Sequence, residues 1–374
     1  MHLKDYNVYK EIVQQPELWK KVYNNFLQVK DDVSDFIGRA LIGDGEVVFT
    51  GAGSSFFVGE MVAGFFQAET GISSKAVSST EILTHATHYI SKSRPVLLVS
   101  FARSGNSPES VAAAKAAQKV NRNLSHLIIT CNKDGALAQT NELTNRFVIL
   151  LPEEANDKAL AMTSSVSSMA LVIILLARLS DIKNQQHQIE LSASFAEHLI
   201  KTYKDTLATI ADQDFERAVF LGSGPFFGLA HEAHLKIQEM TDGQLICKYD
   251  SFLGFRHGPK AVVNDKTLMV YFHSSSDYVR KYENDLVKSI RAEQKPAYTL
   301  GICDSCNNND NYDSVILLSD EPTGIDDAYL MLIFLIPVQL FSVYKSLYYE
   351  LNPDVPSKSG AIHRVVQGVT IYDI

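Results

Sequence analysis

The stretch "VFTGAGSSFF" from Val48 recurs as "VFLGSGPFFG" from Val219, a displacement of 171 positions. A chain that repeats itself at such a distance is built from two copies of one folding unit. At the same displacement "VLLVSFARSGN" from Val96 falls on "TLMVYFHSSSD" from Thr267, and "VILLPEE" from Val148 returns as "VILLSDE" from Val315, 167 positions on. Each copy then runs into a long apolar stretch, "MALVIILLARL" in the first and "YLMLIFLIPVQLFSVY" in the second. Short all-apolar runs separated by segments of helical periodicity are the pattern of a parallel sheet covered on both faces. The spacing therefore predicts an α/β chain with two tandem doubly wound, Rossmann-like or flavodoxin-like domains. In outline these are an N-terminal helical segment over 1–45, a first domain over 46–181, a helical connector over 182–216 and a second domain over 217–374. In the N-terminal segment Trp19, Val22, Tyr23, Phe26, Val29, Val33, Phe36, Ile37 and Leu41 recur at helical spacing.

The 374 residues, 46% of them hydrophobic, suffice for two packed cores, so a folded soluble protein is expected. Net charge is −9 and no lysine or arginine cluster exceeds a pair, which argues against a nucleic-acid partner. The N-terminus lacks the charged-then-apolar layout of a signal peptide, and both apolar stretches read as buried helices too short to span a bilayer. A cytoplasmic protein without membrane attachment is the expectation. Cys131, Cys247, Cys303 and Cys306 are scattered and read as reduced thiols; one Cys-x-x-Cys pair is weak evidence for metal or redox work.

In open parallel sheets ligands sit beyond the carboxyl ends of the strands, where strand order reverses. Two loops at such ends stand out in the first copy, "GAGSS" and "ARSGNS". In the second of these, small hydroxyl residues and a glycine precede Pro108 and a row of alanines, the layout of a helix start. N–H groups there have no internal partner and carry the positive end of the helix dipole, so an anion is well held. Ser104 and Ser107 can add hydroxyl donors; alternatively Ser107 is an ordinary helix cap.

Several other anion and metal motifs fail on detail. The third glycine of a dinucleotide fingerprint is missing, with Phe56 in its place, and no acidic residue follows to grip a ribose. There is no Gly-Lys-Ser/Thr phosphate loop and no Gly-x-Ser-x-Gly elbow. "HEAH" at His231 spaces its histidines by three, not the four of a zinc protease helix. Neither a metal nor a cofactor is expected.

The motifs "GAGSS", "SFARSGNSPES", "AMTSSVSSM", "GSGPFFGLAHEAHLKIQEMTDG" and "GFRHGPKAVV", in this order, resemble those of tandem sugar isomerase (SIS) proteins of the AgaS type. That family comprises galactosamine-6-phosphate deaminase/isomerases, also described as tagatose-6-phosphate ketose/aldose isomerases, and is related to the isomerase half of glucosamine-6-phosphate synthase. The resemblance covers about residues 46–374. It implies that hydroxyls of Ser54, Ser55, Ser104, Ser107 and Thr163 hold the phosphate of a hexose 6-phosphate. It implies further that Glu239 is the general base at sugar C2 and that His257, offered by the neighbouring subunit of a dimer or higher homo-oligomer, opens the pyranose.

Residue chemistry agrees without deciding the matter. Glu232, Lys236 and Glu239 are spaced four and three apart on one helix face. A carboxylate at the negative end of a helix dipole is a stronger base, whereas Lys236 acts in the opposite direction. Taken alone, such residues are as readily a solvated Glu-Lys pair, and a loop histidine is as readily a polar surface group. Arg103 stands where the synthase has glutamine, and either contacts the phosphate or points to solvent. Gln367 falls where the synthase carries a lysine important to ammonia addition, with Lys358 and Arg364 nearby. With Met1-His2 at the start and no N-terminal cysteine nucleophile, amination from glutamine is not expected.

The resemblance thus implies ring opening, proton transfer from C2 to C1 through an enolamine, and hydrolysis of the resulting imine to ammonia and a ketohexose 6-phosphate. A substrate with a C2 hydroxyl gives plain aldose–ketose isomerisation by the same transfers. A non-catalytic sugar-phosphate sensor is the remaining alternative, although it has no use for Glu239 and His257. Because "FHSSSD" in the second copy loses the Ser-Gly-Asn-Ser pattern, one phosphate site per chain is expected.

Overall fold

The computed structural model describes residues 2–305, 309–366 and 368–372. By contacts the chain divides into Glu17–Ile189 with Ile362–Ile374, and Met1–Pro16 with Glu190–Ala361. These groupings cut across the continuous blocks drawn on the sequence, for identifiable reasons. In the second unit the backbone N–H groups of Asn7 and Val8 donate to the Asp354 carboxylate at 3.0 and 2.8 Å. In the first, Arg364 donates from Nη2 to the Asn156 side-chain oxygen at 2.9 Å.

The first unit carries a parallel five-stranded sheet in the order β2-β1-β3-β4-β5. Its strands are β1 Glu46–Gly51, β2 Ser74–Ser78, β3 Val96–Ala102, β4 Ser125–Thr130 and β5 Arg146–Leu150. Every residue of β1, β3 and β4 is buried, which explains their unbroken apolar runs. Helices α1 (Ser54–Thr70), α2 (Pro108–Val120) and α3 (Ser164–Ala177) belong to this unit. Ala113, Ala114, Ala116 and Ala117 of α2 pack on Val48, Leu98 and Ile128 of the sheet. The N-terminal periodicity is a helix over Gln15–Ala40. It buries Trp19, whose indole N–H donates to Ser167 Oγ at 3.0 Å.

The second unit repeats the plan as β10-β9-β8-β6-β7, all parallel. The strands are β6 Arg217–Leu221, β7 Ile246–Asp250, β8 Thr267–Phe272, β9 Tyr298–Cys303 and β10 Ser314–Leu317. Numbered within each copy, both orders read 2-1-3-4-5, so the reversal falls between the first and third strands. The connector is a helix, α4 (Gln185–Ala211), followed by α5 (Pro225–Met240), α6 (Asp277–Glu293) and α7 (Asp327–Tyr348).

The glycines shared by the repeats have a physical cause. A Cβ on Gly51 would lie 2.6 Å from the Ser55 backbone, and one on Gly222 would lie 2.1 Å from the Phe226 carbonyl oxygen. Gly53 and Gly224 have φ of 55° and 58°, a conformation that side chains disfavour. In both copies the chain leaves the first strand and enters a helix through a turn that only this glycine spacing permits.

Two sequence expectations need correcting. The second apolar stretch is a 22-residue helix, long and apolar enough to cross a bilayer by length and composition. Its most apolar window is 89% buried, so α7 is a core helix. Its polar ends, from Asp327 to Lys345, masked its true length. Cys131 and Cys247 are buried thiols, but Cys303 is disulfide-bonded, contrary to the reduced state expected for it. Cys306 lies outside the described residues.

Candidate active site

In the first unit two loops flank the strand-order reversal. After β1, Ser54 and Ser55 occupy the first positions of α1 and are buried. The Ser55 hydroxyl lies 3.7 Å from Met162 Sδ, a weak contact.

After β3 comes Arg103 to Ser107. Gly105, with φ of 68°, bends this loop. The Asn106 N–H donates to Ser104 Oγ at 3.2 Å, and Asn106 Oδ1 in turn accepts from the Ala136 N–H at 2.9 Å. Asn132 Nδ2 donates to the Ser104 carbonyl at 2.9 Å, and the Leu137 N–H to that of Gly105 at 2.9 Å. The loop after β4 thus holds the β3 loop in shape. Ser107 occupies the cap position of α2, yet its side chain makes no capping bond. Among the described residues the Gly105 and Ser107 N–H groups also donate no hydrogen bond. The result is a helix start with unused donors, suited to an anion.

Thr163 is differently committed. Asp157, fully buried, accepts from the Thr163 N–H (2.9 Å) and hydroxyl (2.9 Å), from the Ser164 N–H (2.9 Å), and from the Ser165 N–H (3.0 Å) and hydroxyl (2.5 Å). An internal carboxylate therefore occupies the start of α3, and a phosphate approaching Thr163 meets its oxygen lone pairs, not its proton. Arg103 does not point to solvent. It is 7% exposed and donates from Nη1 to the carbonyls of Ala159, Leu160 and Ala161 and from Nη2 to that of Arg364.

In the second unit α5 carries the acid residues. Lys236 lies between Glu239, at 2.6 Å, and Glu232, at 3.2 Å. The Lys236 and Glu232 side chains are 1% exposed and that of Glu239 is 16% exposed, so this is a buried ion triad with one accessible end. Burial opposes the Lys236 charge, but Glu232 and Glu239 outweigh it and raise its pKa. The solvated surface pair is thereby set aside. His257 sits in the exposed turn after the short helix Phe252–Phe255, before Gly258 with φ of 115°. His231 of the rejected zinc motif stacks on Tyr249, ring centroids 3.7 Å apart. Gln367 lies outside the described residues.

The loop after β8 matches that after β3, but it is occupied by the protein itself. Ser274 Oγ donates to Asp327 Oδ2 at 2.6 Å and the Ser275 N–H to Asp327 Oδ1 at 2.8 Å. Glu283 Oε2 accepts from the Ser274 N–H at 3.2 Å and lies 2.9 Å from His273 Nδ1; His273 Nε2 lies 2.7 Å from the Tyr312 hydroxyl. Asp157, Asp327, Glu283 and Arg364 carry this organisation, and none was singled out as an occupant of a loop on the sequence. The partners of Arg364 lie up to 261 positions away and those of Asp327 up to 53, where no local pattern registers them.

A family model described as "SIS domain" matches residues 40–179. The D-galactosamine-6-phosphate deaminase AgaS of Escherichia coli is 36% identical, over 97% of this chain and 94% of its own. The chain belongs to the AgaS-type family of SIS-domain proteins. Another AgaS relative, the D-galactosamine-6-phosphate deaminase of Shewanella sp. (strain ANA-3), is 33% identical over 97% of this chain and 91% of its own. A solved chain from Clostridium novyi NT matches with a TM-score of 0.95 at 39% identity, covering 99% of this chain and 95% of that one. The tagatose-6-phosphate ketose/aldose isomerase of E. coli matches at 0.89 with 32% identity, covering 99% and 97%. This AgaS-type chain also carries the expected α/β plan in both halves.

Proposed function

We propose that this AgaS-type protein is an amino-sugar phosphate deaminase/isomerase that converts galactosamine 6-phosphate, or a close hexosamine 6-phosphate, and water into tagatose 6-phosphate, or the matching ketohexose phosphate, and ammonia. The observation that carries the reading is the near full-length identity to galactosamine-6-phosphate deaminases. The accessible carboxylate of Glu239 beside buried Lys236 supports it.

In this reading Ser54, Ser55, Ser104 and Ser107 hold the phosphate, with Thr163 ordering the adjoining helix start. His257 moves the proton that opens the ring. Glu239 takes the proton from C2 of the open aldehyde, giving an enolamine, and returns a proton to C1. Water adds to the C2 imine and ammonia leaves. Lys236 holds Glu239 in place, and Glu232 neutralises the buried ammonium. The exposed position of His257 supports its donation across a homodimer. The α/β fold, with its long apolar helix buried in the core, supports a cytoplasmic enzyme.

Free ammonia measured with galactosamine 6-phosphate tests the reading. Glu239→Gln is expected to lower kcat by about 10³-fold, the scale of general base catalysis, without changing the fold. Unchanged turnover removes Glu239 from the role. The second reading, aldose–ketose isomerisation, is favoured by the name of the E. coli structural relative. Tagatose 6-phosphate consumption without ammonia in the reverse assay would select it. Ligand binding without turnover of either substrate would select a sensor.

A further inference from the structure

Arg103 adjoins Ser104 in the β3 loop, yet its guanidinium serves two other segments. Nη1 lies 3.2, 3.0 and 3.3 Å from the carbonyl oxygens of Ala159, Leu160 and Ala161, on the approach to α3. Nη2 lies 2.7 Å from the carbonyl oxygen of Arg364, in the C-terminal segment. Arg364 closes the ring: its Nε and Nη2 donate to the Asp157 carbonyl at 3.0 and 2.5 Å, and Nη2 also reaches Asn156 Oδ1 at 2.9 Å. Asp157 in turn caps Thr163 to Ser165. The β3 loop, the start of α3 and the C-terminal segment are therefore linked through one buried guanidinium. Beyond Arg364 the described chain is irregular, with Val366 and Tyr372 49% and 79% exposed.

We propose that Arg103 is a positioning residue that couples anion binding at the β3 loop to the anchoring of the C-terminal segment 362–372. The inference rests on the reading of that loop as the phosphate site. A dianion held by Ser104 and Ser107 sits beside the buried cation and supplies counter-charge, which favours the orientation in which Arg103 grips Arg364. Linkage makes the effect reciprocal: a ligand that prefers the anchored state tightens the anchor, and the anchor tightens the ligand. The planar fork is required, because a lysine ammonium in its place cannot span both sets of carbonyls.

The test is hydrogen–deuterium exchange of the full chain with and without saturating galactosamine 6-phosphate, with binding followed separately by titration. In the wild type the ligand is expected to slow exchange in 362–372 by about tenfold, the scale of one hydrogen bond to a charged group. Arg103→Met and Arg103→Lys are expected to lose this ligand response and to raise KM more than they lower kcat. Exchange in β1, β3 and β4 stays as in the wild type; a merely structural role would loosen those strands and leave the response intact. Arg364→Met approaches the ring from the tail and is expected to lose the same response, so the test survives if an Arg103 variant does not fold. Ligand binding to the wild type with no change in tail exchange overturns the coupling. No binding at all overturns the phosphate reading and the coupling together, and titration tells the two results apart.

Discussion

The loops after β3 and β8 have the same place in the same fold and opposite contents. After β3, Ser107 makes no capping bond and the surrounding asparagines hold the loop open. After β8, the carboxylate of Asp327 receives the Ser274 hydroxyl and the Ser275 N–H, and Glu283 receives the Ser274 N–H. A carboxylate presents two oxygens much as a phosphate does, so a duplicated anion site can be closed by a residue of the chain itself. The difference supports the expectation of one phosphate site per chain, in the amino-terminal copy.

The largest expected effect follows from removing the donors of the open loop. Ser104→Ala combined with Ser107→Ala deletes two hydrogen bonds to a charged group, about 4 kcal/mol in sum, so kcat/KM for galactosamine 6-phosphate should fall about 10³-fold. Ser274→Ala should leave kcat/KM within about twofold, since its partner is Asp327. Steady-state kinetics of both variants make the check, and a comparable fall for Ser274→Ala breaks the comparison.

The two copies also bury histidines differently. His273 meets Glu283, whereas His126 in β4 meets the Gln118 amide and, among the described residues, no carboxylate, and burial followed by the charge of Arg146 lowers its pKa to about 4. Its folded value is below the ordinary 6.5, so the unfolded chain takes up the proton first as pH falls. Stability present above pH 6.5 is lost on the way down to about pH 4, by roughly 3 kcal/mol from this group. Urea unfolding at pH 7.5 and 4.5 should show that loss in the wild type and its absence in His126→Gln. Equal pH dependence in the two proteins removes His126 from the acid response.

Asp327→Ala is the milder change. It leaves the Ser274 hydroxyl proton and the Ser275 N–H without their acceptor in the closed loop, at a cost of about 2 kcal/mol, with KM unchanged. Thermal unfolding and KM together sharpen the comparison. A raised KM would mean that the second loop bears on substrate after all.

The repeat was legible because its causes are local. Gly51 with Gly53, and Gly222 with Gly224, are required by a turn a few residues long, and apolar runs such as Val96–Val99 by burial on both sheet faces. The triad on α5 was legible for the same reason, helical spacing placing Glu232, Lys236 and Glu239 together. Asp157, Asp327 and Arg364 were not. Asp327 and Arg364 act through loops distant in sequence, Asp157 caps a helix start six to eight residues on, and an aspartate before a helix looks the same whether it caps that helix or fills another loop. The commitment of Thr163 and Arg103 to partners within the protein was hidden likewise, since composition and spacing do not say which hydroxyls and guanidiniums are already spoken for.

The Asp327 carboxylate is tethered, and a tethered occupant does not leave when metabolite runs low. The carboxy-terminal sheet keeps its anion in fed and starved cells alike. The amino-terminal sheet, in the phosphate reading, gains stability only in proportion to sugar phosphate at hand. Scarcity of substrate then empties the anion loop of one sheet and leaves that of the other filled.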